Sequence, residues 1–129
     1  MYVTKTGSLC NEASSKAEYA ACIKDAKRFV FYREKYYCLL VSTSPEAKIN
    51  NEAVKLAMDS KYDAAEILLI KVISEQKAKA AASNNIAIIY ELSGRADEAS
   101  RLYSLARQLE PGNAVFRKNA ANMVPAGQF

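Results

Sequence analysis

Residues 81–94 read AASNNIAIIYELSG, and 34 positions earlier residues 47–60 read AKINNEAVKLAMDS. Each stretch carries an asparagine doublet, Asn84 and Asn85 or Asn50 and Asn51, inside an otherwise helical pattern. Asparagine is a mediocre helix former because its amide competes for backbone hydrogen bonds, so a doublet repeated at the same place asks for a reason beyond propensity. Superposing residues 46–79 on 80–113 also aligns Ala53 with Ala87, Asp63 with Asp97, Ala65 with Ala99 and Leu68 with Leu102. A further step of 34 brings Asn119, Ala121 and Val124 over Asn85, Ala87 and Tyr90. A period of this length belongs to a helix-turn-helix repeat.

The local signals agree with that period. Ser44-Pro45-Glu46 is a helix opening, with Ser44 as N-cap and Pro45 at the first helical position, and predicts a helix over 46–58. A second helix follows over 61–75, where Tyr62, Ala65, Leu68, Leu69 and Val72 form an apolar stripe. Its far face carries Ile67, Ile70 and Ile73, which predicts contact with protein on both sides and makes it the most buried helix. Helices over 79–92 and 95–109 are separated by Gly94, and Pro111 closes the second. Asn113 caps a last helix over 114–123. Connections this short fold successive helices back antiparallel on one another.

The first 44 residues are less regular. Ala13, Ala17, Ala20, Ala21 and Ile23 predict a helix over 12–28. FVFYREKYYCLLVS, residues 29–42, fits a hairpin turning at Arg33–Lys35 or a helix with Phe29, Tyr32, Tyr36 and Leu40 on one face. Helix is preferred, because an isolated two-stranded hairpin has nothing to pair with in a helical stack.

Composition points the same way. The 129 residues can bury a core, and four Gly and three Pro are few for a sandwich or barrel, so an all-α chain is expected. A net charge of +4 is mild and selects no partner. No apolar run is long enough to span a bilayer, so no transmembrane segment is expected. Cys10, Cys22 and Cys38 cluster in the first third, and no His is present to complete a mixed metal site, so neither a metal nor another cofactor is expected. Three readings of these cysteines stand open: reduced thiols in a cytoplasmic protein, a Cys22–Cys38 disulfide in an exported one, or Cys10 as the lipid-bearing residue of a periplasmic or membrane-anchored lipoprotein. Catalysis is not expected, since a nucleophilic cysteine would have no imidazole base and Glu91, Asp97 and Glu98 fall at turns or on helix surfaces.

At SNNIAIIYELSGRADEASRLYSLARQLEP, residues 83–111, the chain resembles the tetratricopeptide repeat family. Ile86, Ala87 and Tyr90 on the first helix, Gly94 at the turn, Ala99, Tyr103 and Ala106 on the second helix and Pro111 at the exit match its signature. The unit before it is looser, with Ser60 in place of the turn glycine and Lys77 in place of the exit proline. The resemblance covers about two and a half repeats over residues 46–124 and leaves 1–44 as an N-terminal segment and 125–129 as a tail. It implies a short right-handed α-solenoid of stacked helix pairs, whose first helices line a concave groove that binds a peptide or partner protein.

In that register the groove-facing residues are Asn50, Asn51, Val54 and Met58 from the first unit, and Asn84, Asn85, Ile88, Glu91 and Leu92 from the second. The last helix adds Lys118, Asn119 and Asn122. A row of Asn51, Asn85 and Asn119 can pair with the exposed N–H and C=O groups of an extended peptide, or tie one helix to the next. Self-association through an uncovered end helix is a further expectation, as is the alternative of an accessory subunit for envelope or secretion machinery. Lys24, Lys27, Arg28, Arg33 and Lys35 interleave with Phe29, Phe31, Tyr32, Tyr36 and Tyr37, a pattern able to bind single-stranded RNA, but the preferred reading has the aromatics covering the end of the stack.

Overall fold

The computed structural model describes residues 15–25, 28–121 and 123, with residues 21–25 described by their backbone. The fold is mostly helical with one small sheet. Helix α1 spans Lys16–Asp25, strands β1 and β2 span Phe29–Tyr32 and Lys35–Cys38, and five helices follow: α2 Pro45–Met58, α3 Tyr62–Val72, α4 Lys79–Leu92, α5 Ala96–Leu109 and α6 Ala114–Ala121. The starts of α2 and α6 follow their caps. Ser44 Oγ accepts the Ala47 N–H, and Asn113 Oδ1 accepts those of Val115 and Phe116. Helix α2 packs on α3, α3 on α4, α4 on α5 and α5 on α6.

The two inner turns superpose bond for bond at the repeat spacing. Lys61 N–H donates to Leu56 C=O as Arg95 N–H does to Tyr90 C=O, each at 2.8 Å, and Ser60 and Gly94 bond back to Ala57 and Glu91. Gly94 has φ +79° and Ser60 has φ +63°, so the serine holds the left-handed conformation that the glycine adopts freely.

Two expectations are corrected. Residues 29–38 form an antiparallel hairpin, with Phe29 opposite Cys38 and Tyr32 opposite Lys35. Arg33 and Glu34 turn it with φ +52° and +71°, both left-handed as the tight two-residue turn requires. A two-stranded hairpin needs a further pairing partner to be stable, and side chains of the helices provide one. The second correction concerns burial: Ile67 and Ile70 on α3 are 59% and 52% exposed, and α4 is the most buried helix, buried at every residue from Ala80 to Glu91. The hairpin lies against α4 and closes the face that a groove would leave open.

Alternation along β2 divides the core. Tyr37 shares one buried cluster with Ala53, Val54, Ala57, Ile88 and Tyr103, with Tyr32 packed against it. Tyr36, Cys38 and Phe29 join Ala80, Ala81, Ala106, Val115 and Phe116 in the other. Successive side chains of a strand point to opposite faces, so β2 stitches the two clusters together. Phe29, Tyr36 and Tyr37 of the hairpin thus enter the helical layer, while Phe31 and Tyr32 are half-buried against it.

Candidate functional site: an asparagine ladder along a strand

One edge of β2 pairs with β1, and Leu39 N–H donates to the Arg28 carbonyl on that side. The other edge faces the helices, where no strand is available, and the peptide groups of Tyr36, Cys38 and Leu40 are met by side-chain carboxamides. Asn51 Oδ1 accepts the Leu40 N–H at 2.8 Å while its Nδ2 donates to the Leu40 carbonyl at 2.8 Å. Asn85 treats Cys38 in the same way, at 2.8 and 2.9 Å. Asn119 treats Tyr36 in the same way, at 3.0 and 2.9 Å. Each carboxamide thereby imitates the N–H and C=O pair that a neighbouring strand would present.

The other member of each doublet reinforces the ladder. Asn50 Nδ2 donates to Cys38 C=O and Asn84 Nδ2 to Tyr36 C=O. The rungs are cross-linked: Asn85 Nδ2 donates to Asn50 Oδ1 at 3.0 Å, and Asn119 Nδ2 to Asn84 Oδ1 at 2.8 Å. Moving 34 residues along the helices corresponds to moving two residues back along the strand. Two is the side-chain period of a strand, so each helical unit meets an equivalent peptide group. Asn50, Asn84, Asn85 and Asn119 are all buried, where an unmet amide would be costly, and their mutual bonding satisfies them.

The other residues expected to line a groove fall in different surroundings. Val54 and Ile88 are buried in the cluster that receives Tyr37, and Met58 and Leu92 are half-buried against it. Lys118 is half-buried on α6, and Asn122 lies outside the described residues. Glu91 is no solvated surface carboxylate. Its Oε1 lies 3.3 Å from Lys35 Nζ, with both side chains 1% exposed, and accepts the Tyr103 hydroxyl at 2.7 Å. Lys35 Nζ also donates to the Asn119 carbonyl at 3.0 Å and sits 5.5 Å from the centre of the Tyr103 ring. Burial pushes the Lys35 ammonium below its ordinary value, with Glu91 opposing. Burial pushes the Tyr103 hydroxyl up, with Glu91 adding to the shift.

The sequence held one signal for this cluster: Glu91 occupies the repeat position of Ala57, a carboxylate where the preceding unit has a methyl group. Lys35 gave no signal, because its role depends on the hairpin. Beside the cluster Tyr37 is fully buried, its hydroxyl has no hydrogen-bond partner among the described residues, and burial pushes its pKa up.

Phe29, Tyr36 and Tyr37 are buried, so they offer no stacking platforms to RNA. Cys38 is buried in the second cluster, whereas Cys10 and the Cys22 side chain lie outside the described residues. Among the described residues no three Cys, Asp or Glu side chains come together as a metal site, and no helix is long and apolar enough to cross a membrane.

No protein-family model matches the chain, and no curated protein or solved structure shows significant similarity to it.

Proposed function

We propose that the chain is a non-catalytic interaction scaffold of tetratricopeptide-like repeats, whose asparagine row clamps an extended peptide segment by its backbone. In the resting form the clamped segment is the chain's own β2 strand. The observation that carries this reading is the two-for-one register, in which Asn51, Asn85 and Asn119 each hold both peptide groups of Leu40, Cys38 and Tyr36 in turn. Backbone pairing of this kind is indifferent to sequence, so a segment from another protein meets the same acceptors and donors. Partner binding then requires displacement of the hairpin, and the apparent affinity falls by the fraction of molecules in which the groove is open.

The tether between strand and scaffold is Val41–Ser44, of which Val41, Ser42 and Thr43 are exposed. A flexible Gly/Ser insertion of about twenty residues between Ser42 and Thr43 lowers the effective concentration of the strand without touching the groove. A labelled synthetic peptide spanning residues 28–42 is expected to bind this folded variant more tightly than the parent chain, and to lose that binding when Asn85 becomes alanine. A folded, lengthened variant that ignores the peptide contradicts the proposal.

A further inference from the structure

The groove also contains a side-chain reader. The geometry points to Glu91 and Tyr103 as a subsite for a lysine, so that the groove selects extended segments with a lysine two residues before an aromatic, as in Lys35-Tyr36-Tyr37. This rests on the clamp reading above and adds to it the chemistry of the partner.

The asparagine carboxamides leave the choice of segment open, since their bonds to the strand all go to peptide groups. Selection falls to the side chains of the face that carries Lys35 and Tyr37. Tyr37 fills the apolar cluster with Val54 and Ile88, a site that takes any flat ring of similar volume. The lysine site is more exacting. Its carboxylate lies at the groove floor with its side chain 1% exposed, oriented by the Tyr103 hydroxyl at 2.7 Å, and the entering ammonium is met by Glu91, the Asn119 carbonyl and the Tyr103 ring face. A neutral or acidic residue in place of the lysine removes the cation from a buried carboxylate, which is among the most costly changes a buried pair can suffer. Such pairs add little net stability over an apolar packing, but they penalise wrong partners heavily. Arginine is disfavoured as well, because a planar fork does not fit two oxygens and a ring face arranged around a single nitrogen.

The test uses the hinge-lengthened full chain and fluorescence anisotropy with synthetic peptides of residues 28–42. The native peptide is expected to bind, and peptides with Lys35→Met or Lys35→Glu to bind at least about 100-fold more weakly. The protein variant Glu91→Gln is expected to reverse the preference between the native and Lys35→Met peptides, a result that packing alone does not give. Equal binding of the native and Lys35→Met peptides by the Glu91 protein overturns the lysine subsite and leaves the clamp standing. Exclusion of every peptide overturns both. Should the lengthened chain fail to fold, a protease site placed at Ser42–Thr43 of the parent chain and cut after folding opens the groove for the same titrations, read in the same way.

Discussion

The carboxamide of Asn85 closes both hydrogen bonds of Cys38, accepting its N–H at 2.8 Å and donating to its carbonyl at 2.9 Å, although 47 residues separate them in the chain. Both groups are buried, so the pair measures how strongly the strand is held. Replacing Asn85 with alanine leaves the buried Cys38 N–H unmet, leaves the Cys38 carbonyl with Asn50 Nδ2 alone and takes the Asn85 donor from Asn50 Oδ1, and is expected to cost about 3 kcal/mol. Asn85→Asp keeps the acceptor but turns an anionic oxygen toward the Cys38 and Asn50 oxygens, and is expected to be at least as harmful. Asn51→Ala, at the half-buried end where water can replace it, is expected to cost about 1 kcal/mol. Urea denaturation of the three variants checks the order.

Two turns hold residues in the left-handed region without a glycine. Ser60→Gly is expected to stabilise the fold by about 1 kcal/mol, and Gly94→Ala at the equivalent turn to destabilise it by a similar amount. An added Cβ at Gly94 meets nothing within 4 Å, so the effect there is one of backbone conformation alone. Replacing Arg33-Glu34 with Asn-Gly is expected to stabilise the hairpin for the same reason. Thermal unfolding of the three variants reads these signs directly.

Alkaline pH should loosen the core through its tyrosines. Tyr37 and Tyr103 have hydroxyls pushed above the ordinary value of 10.0 by burial, so above that pH the unfolded chain releases protons that the folded chain retains. Stability therefore falls as pH rises past about 10, by about 1.4 kcal/mol per pH unit for each tyrosine. Lys35 works in the opposite sense, because its lowered pKa adds stability between its folded value and the ordinary 10.5, after which its contribution is constant. The net decline is expected to steepen above that point. Urea midpoints between pH 9 and 11.5 test this, with Tyr103→Phe expected to reduce the slope.

The helical part of this arrangement was legible because its signals are local. Ser44, Gly94, Pro111 and Asn113 punctuate the chain where the helices start and stop, and the 34-residue spacing placed the asparagines at equivalent sites. The hairpin is not legible in its own residues, since its pairing partner is a row of side chains that becomes a strand edge only when the helices stack. The exposure of Ile67 and Ile70 has a related origin, for periodicity shows that a helix is apolar on both faces but not which neighbour covers each. Lys35 and Glu91 were hidden because an ion pair of residues 56 positions apart leaves no mark on either local sequence.

The central claim is that the helices grip an extended strand through its peptide groups, and amide hydrogen exchange followed by NMR tests it residue by residue. The amides of Tyr36 and Cys38 are expected to be as protected as those of Ile86–Ile89 in α4, and Cys38, whose acceptor is Asn85, is expected to lose that protection selectively in Asn85→Ala while α4 keeps its own. Exchange of Tyr36 and Cys38 at open-chain rates in the parent protein, with α4 fully protected, would contradict the clamp.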